Sequence, residues 1–214
     1  SNSHHFFEQL GLLIQSIETF VHPSNSGRWT KICAKFIYAF IKAYHERFVF
    51  ESKESSKYRT ELKLNEETHS KLIKTLIGTL LLGSQNKNTD IAHYYISGLA
   101  YLLNLKSQSS YLIYDQVLID VYESLTDQYV NSIHRVFSSL KQFGRIVRFM
   151  IMDDLYRIHI TNVLSMIVTK LDSNDPVLSN VLVNTIASIS CYVPVESFVK
   201  EDEYITFEST TLPL

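Results

Sequence analysis

Amphipathic stretches begin near Glu66, Tyr111 and Leu155, at steps of 45 and 44 residues, and each interval holds two helix-length segments joined by a short turn. A two-helix hairpin covers only one side of each of its helices, so a chain that repeats the hairpin at a fixed period completes its core by stacking one pair on the next. The spacing therefore predicts an all-α chain built as an α-solenoid of antiparallel helix pairs, each pair in contact mainly with its neighbours. Side-chain identity between the intervals is low, and spacing alone leaves a non-repeating helical bundle as the alternative.

The period falls in the range of HEAT-like repeats, roughly 40–47 residues. In the first helix, to Phe20, the residues Phe6, Leu10, Leu13, Ile14, Ile17 and Phe20 recur at three and four positions and form one side. Pro23 and the turn-forming Ser24, Asn25, Ser26 and Gly27 stop it. A second helix is expected from Arg28 to Phe50, with Cys33, Phe36, Ile37, Phe40, Tyr44 and Phe48 packed and Lys31, Lys35, Tyr38, Lys42 and His45 on a wet stripe. Residues 1–50 thus form a helical hairpin, and 51–64 read as a charged flexible loop with too little apolar surface to order itself.

Residues 65–190 read as HEAT-like helix pairs. Asn65 caps a helix from Glu66 to Leu82, and Gly83 is expected to end it in a left-handed turn. Helices follow over Thr89–Leu105, over Tyr111–Leu125 behind Ser109 or Ser110, and from Thr126 or Asp127 to Arg148 with a weak point at Gly144. Asp153 or Asp154 opens the helix that runs from Leu155 to Leu171, and Asp175 caps the last, with Pro176 in its first turn and its end near Ser190. Pro194, the acids Glu201, Asp202 and Glu203 and the β-branched run beyond them make 191–214 an extended acidic tail or inter-repeat loop. The ends carry no start or stop signals, so a segment of a larger superhelix is expected.

Composition removes several function classes. Twenty basic against 22 acidic side chains lack the positive excess with which general nucleic-acid binders neutralise phosphates. No apolar run reaches the 18 residues of a membrane span. Cys33 and Cys191 stand far apart without partners, which fits neither a disulfide framework nor a zinc site, and reads as intracellular. His22 and His45 lie 11 and 12 positions from Cys33; 12 helical residues span about 18 Å, too far for a nucleophile and its base. No paired metal-ligand spacing and no glycine-rich phosphate loop occurs. No catalytic, cofactor-binding or metal-ligating residue is assigned, and an enzyme is not expected.

Two basic stripes stand out: Lys31, Lys35 and Lys42 on one helix and Lys141, Arg145 and Arg148 on another. Either would meet an acidic surface or a polyanion; the balanced total charge favours a solvated outer face. Independently, Pro23 stops the first helix, Asn25 or Ser26 caps the second, and Trp29 is large enough to wedge between the two and be buried there.

The string HPSNSGRWTKICAKFIYAF, from His22 to Phe40, and its continuation through Tyr44, His45, Glu46, Arg47 and Phe48 resemble the middle region of the giant single-chain HEAT-repeat proteasome activators, most of all the yeast form. The matching positions are His22, Pro23, Ser24, Asn25, Gly27, Trp29 and Arg47. The run LTDQYVNSIHRVFSSL, the helix pair split at LDSNDP and the ending CYVPVES are similar to that region with less specificity. The resemblance implies a non-enzymatic regulator that caps the proteasome core particle against its outer ring, promotes gate opening and controls substrate entry, in nucleus and cytoplasm. It also implies an inositol polyphosphate as a partner of the full-length protein. In that family a carboxyl-terminal tripeptide with a penultimate aromatic docks into the core particle; here Leu212, Pro213 and Leu214 stand instead, so this segment alone is not expected to open the gate. The alternative function is a transport or scaffold solenoid that binds peptides or proteins on its concave face.

Overall fold

The computed structural model describes residues 2–53, 64–126, 133–172 and 174–192. Among them are eight α-helices and no strand: α1 (Asn2–Val21), α2 (Arg28–Lys53), α3 (Glu66–Ser84), α4 (Thr89–Leu103), α5 (Tyr111–Thr126), α6 (Ile133–Met150), α7 (Asp154–Thr169) and α8 (Pro176–Ser190), with one 3-10 turn at Gln108–Ser110. Odd-numbered helices pack on odd-numbered neighbours and even on even, while each odd helix pairs with the even helix that follows it. Four hairpins are thereby stacked in two layers, the arrangement of an α-solenoid. The odd helices from α3 onward start at Glu66, Tyr111 and Asp154, so the repeat survives within one residue of its expected spacing.

Local chemistry fixes the helix starts. Asn65 and Thr68 form a reciprocal capping box: Asn65 Oδ1 accepts from the Thr68 amide at 2.9 Å, and Thr68 Oγ1 accepts from the Asn65 amide at 2.8 Å. Asn88 accepts from the Asp90 amide, Asp153 from the Leu155 amide, and Asp175 from the Leu178 amide ahead of Pro176. Each side chain satisfies a backbone N–H that a helix leaves without an internal partner.

The core runs through both layers. Tyr95 and Phe143 are its largest fully buried side chains, joined by Leu72, Leu76, Leu80, Ile91, Leu99 and Leu102 from α3 and α4. Gly83 does not end α3 in a left-handed turn. It stays helical because the ring of Tyr95 lies over it, and a Cβ there would come within 2.5 Å of that ring. The left-handed residue is instead Lys106, at φ 50°, where the chain turns after α4 closes two residues sooner than its apolar pattern suggested. Gly144 is no weak point either; α6 passes through it unbroken, with Ser188 of α8 packed close alongside.

The first hairpin departs most from its pattern. α2 buries Thr30, Ala34, Ile37 and Ile41, so its packed face is rotated from the expected one. Phe36 is 45% exposed and Cys33 half-buried. Trp29 is 65% exposed and does not wedge between α1 and α2. Phe6, Leu13 and Phe20 of α1 are also exposed, because no further helix covers that side among the described residues. α2 extends three residues into the segment expected to be a loop; the rest of that loop, 54–63, and the acidic tail from 193 onward lie outside the described residues.

Candidate partner-binding face

The His-Pro-Ser-Asn turn is held by hydrogen bonds between side chains and backbone. Asn25 donates from Nδ2 to the Thr19 carbonyl at 2.6 Å, and the Ser24 amide donates to His22 Nδ1 at 3.2 Å, closing the turn on α1. The turn between α3 and α4 then clasps it. Buried Asn86 donates to the Asn25 carbonyl at 2.8 Å, and the Lys87 amide donates to the Pro23 carbonyl at 3.1 Å. The same second turn reaches α6, where His134 Nε2 meets the Gln85 carbonyl at 2.7 Å and buried Gln142 donates to Ser84 Oγ. Of the other motif positions, Gly27 is exposed with open space around it, and Arg47 pairs with Glu51 at 2.7 Å, whose other oxygen accepts from the Leu64 amide.

At the opposite rim Glu66 ties α3 to the turn before α5, accepting from the Ser109 amide at 3.0 Å, from Ser109 Oγ at 2.7 Å and from Ser107 Oγ. Burial pulls this carboxyl upward, but the serine hydrogen bonds prevail and hold it below its ordinary value. Beside it, buried His69 stacks on Tyr44 at 5.8 Å, and desolvation lowers its pKa, so the ring stays neutral.

Charge separates the layers. Helices α2, α4, α6 and α8 carry ten cations against three carboxylates, Glu46, Glu51 and Asp90. Helices α1, α3, α5 and α7 carry three cations, Lys71, Lys74 and Arg157, against eight carboxylates. The near-zero total charge conceals a basic even layer and an acidic odd one.

The two basic stripes end in different environments. Lys31 pairs with Asp90 of α4 at 3.4 Å and Lys42 with Glu46 at 3.8 Å, both at the surface, and Lys35 is exposed. Lys141, Arg145 and Arg148 are exposed on α6, and none of them has a carboxylate partner among the described residues. The Arg148 guanidinium lies 4.6 Å from the centre of the Phe149 ring. The stripes do not merge, since α4 lies between α2 and α6.

Over α4 the structure adds what the stripes alone did not reveal. Tyr38 of α2 packs against Tyr94 and Tyr101 of α4 at 5.7 and 5.8 Å, and His45 meets Tyr101 edge-on at 5.1 Å. Of these rings Tyr38 and Tyr101 floor a cavity of about 740 Å³, bounded by Arg145, Arg148 and Tyr192. A second cavity of about 560 Å³ continues it towards α8, with Lys87, Lys141 and Arg145 on its wall, and among the described residues no Asp or Glu lines either one. Tyr38 on the wet stripe of α2 is the signal that the sequence offers, whereas the spacing of Tyr101 reads equally as core packing.

Burial pushes the Cys33 thiol up, away from the reactive thiolate. No group of three or more His, Cys, Asp or Glu suited to a metal ion occurs among the described residues, and none of the described helices is long and apolar enough to cross a membrane.

Stacked helix pairs with polar ties at both rims are the signature of a repeat protein, and comparison specifies which. Residues 10–214 match the family model described as the mid HEAT repeats region of proteasome activator complex subunit 4. The chain belongs to this family. It is also 53% identical, over its whole length, to Proteasome activator BLM10 of Saccharomyces cerevisiae, and it spans 10% of that relative's length. In this mid HEAT-repeat region the two-layer stack and the turn-to-turn clasp are the built features, and the even layer carries the excess of positive charge.

Proposed function

We propose that this chain is a structural segment of a HEAT-repeat proteasome activator, one that caps the end of the proteasome core particle, promotes gate opening and regulates which substrates enter. The observation that carries this reading is the 53% identity over the full chain to a protein named as a proteasome activator, together with the family match over 205 positions from 10 to 214. The segment contributes shape and surface to that assembly, and the chemistry of peptide cleavage belongs to the core particle. Its rim hydrogen bonds set the angle between successive hairpins, and its basic even layer offers a face to an anionic partner. An inositol polyphosphate is the small polyanion that we propose for the full-length protein, with Lys141, Arg145 and Arg148 as its contacts in this segment. We propose a nuclear and cytoplasmic location, to be read from a fluorescent fusion of the full-length protein.

The deciding experiment adds either the full-length protein or residues 1–214 to purified core particle and follows fluorogenic peptide hydrolysis. The full-length protein should raise the rate several-fold and the segment should leave it unchanged. No stimulation by the full-length protein would refute the activator reading. Stimulation by residues 1–214 alone would refute a purely structural role for the segment.

A further inference from the structure

We infer that the basic, aromatic-floored groove of the even layer is the docking site of this chain's own acidic segment, residues 196–208, which follows α8. Three observations converge on it, and none depends on the proteasome reading. First, the paired cavities are lined by Lys87, Lys106, Lys141, Arg145 and Arg148, and among the described residues no carboxylate stands on either wall and Lys87, Lys106, Lys141 and Arg145 have no ion pair. Cations gathered over apolar surface repel one another, and an anionic ligand relieves that repulsion while it gains charge-assisted hydrogen bonds.

Second, the chain leaves α8 inside the groove, because Tyr192 lines both cavities. From there the sequence runs through Glu196, Glu201, Asp202, Glu203 and Glu208, with Lys200 the single cation, and carries Phe198, Tyr204 and Phe207 between the acids. The ligand that the groove calls for, anionic and studded with aromatic rings, is thus written directly after it. Third, the reach is sufficient. Nine residues separate Tyr192 from Glu201, and an extended chain covers up to about 30 Å in that distance. Lys141 and Arg148 stand only about 10 Å apart along α6. A tether this short holds the acids at an effective concentration in the millimolar range, so even a weak surface contact is occupied most of the time.

The test is zero-length carbodiimide coupling of carboxylates to amines on the 214-residue chain at low ionic strength, read by peptide mass mapping. Lys87, Lys106 and Lys141 should couple to Glu201, Asp202 or Glu203, and the yield should fall several-fold at roughly 0.5 M salt, where surface charges are screened. Arg145→Glu with Arg148→Glu should abolish the coupling at Lys141, and Glu201→Lys, Asp202→Lys and Glu203→Lys added to that double variant should restore proximity, read by an amine-to-amine crosslinker between Lys141 and the new lysines. Circular dichroism of each variant confirms that the helices persist. Coupling that survives the arginine reversals, or that reaches Lys71 and Lys74 of the odd layer equally, would overturn the inference. Crosslinks found only between two chains, rising with protein concentration, would assign the groove to a second copy and overturn it as well.

Discussion

The second hairpin, α3 with α4, and the fourth, α7 with α8, are similar in apolar content and very different in surroundings. α3 and α4 bury eight residues each, Leu72, Leu80, Tyr95 and Leu99 among them. α7 and α8 bury three each, and Leu155, Ile158, Val177 and Val183 stand exposed. The difference lies in neighbours, since α3 and α4 are flanked by hairpins on both sides and α7 and α8 on one. A repeat's apolar content thus measures how many neighbours it is built for, and burial measures how many it has.

Core truncation should separate the two regions most sharply. Leu80→Ala, in α3 facing the interior, should cost about 2–5 kcal/mol in denaturant unfolding, while Val183→Ala, exposed on α8, should stay within about 0.5 kcal/mol. Equal losses at the two sites would abolish the distinction. A smaller effect is expected at Gly83→Ala, where the new methyl meets the Tyr95 ring; overpacking of this kind costs about 1–3 kcal/mol. Gly78, on the same helix with open space around it, should gain slightly when changed to Ala, because the unfolded chain then has less freedom to lose.

Acid should reveal the same boundary. His69 has a folded pKa below its ordinary 6.5, so the unfolded state takes up the proton first, and stability that is full above about pH 6.5 declines as pH falls. Glu66 adds a second decline, since its lowered pKa gives stability that is present above 4.5 and lost as pH drops through the folded value. Glu66→Gln should flatten only the more acidic limb of the curve, and an unchanged limb would remove the serine tie from the account. The smallest effect belongs to the surface: Lys141→Glu should move stability by no more than about 0.5 kcal/mol, and Trp29 should emit with the red-shifted maximum of a water-exposed indole.

Much of this fold is legible in the sequence because its signals are local. Asn65, Asp153 and Asp175 cap where a short polar side chain precedes an apolar period, and the 45-residue step needs only helix lengths. The face of α2 was not legible. Phe36 and Trp29 follow the same apolar logic as Ile37 and Ile41, and only the position of the neighbouring hairpin decides which are covered. Gly83 misled for a related reason, since a glycine after an apolar run reads as a terminator unless the ring of Tyr95 is known to lie over it. The groove joins side chains from α2, α4 and α6, and the charge split between layers disappears in a total of −2, so neither shows along the chain. The two arginines at its wall and Tyr38 on the wet stripe of α2 are visible in the sequence; Tyr101 beneath them is not, because its spacing fits core packing as well.

The clasp of Asn86 on the turn at 22–25 and the tie of Glu66 to Ser107 and Ser109 act between backbone and short side chains, at fixed bond lengths, on opposite rims of the stack. They serve as rulers for the pitch of the solenoid, whereas the apolar core supplies only adhesion. Adhesion tolerates many combinations of leucine, isoleucine and phenylalanine, but a ruler tolerates few substitutions. Successive hairpins are therefore at liberty to diverge in their interiors while the curvature of the whole stays constant, which accounts for repeats that keep their spacing after their side chains have ceased to match.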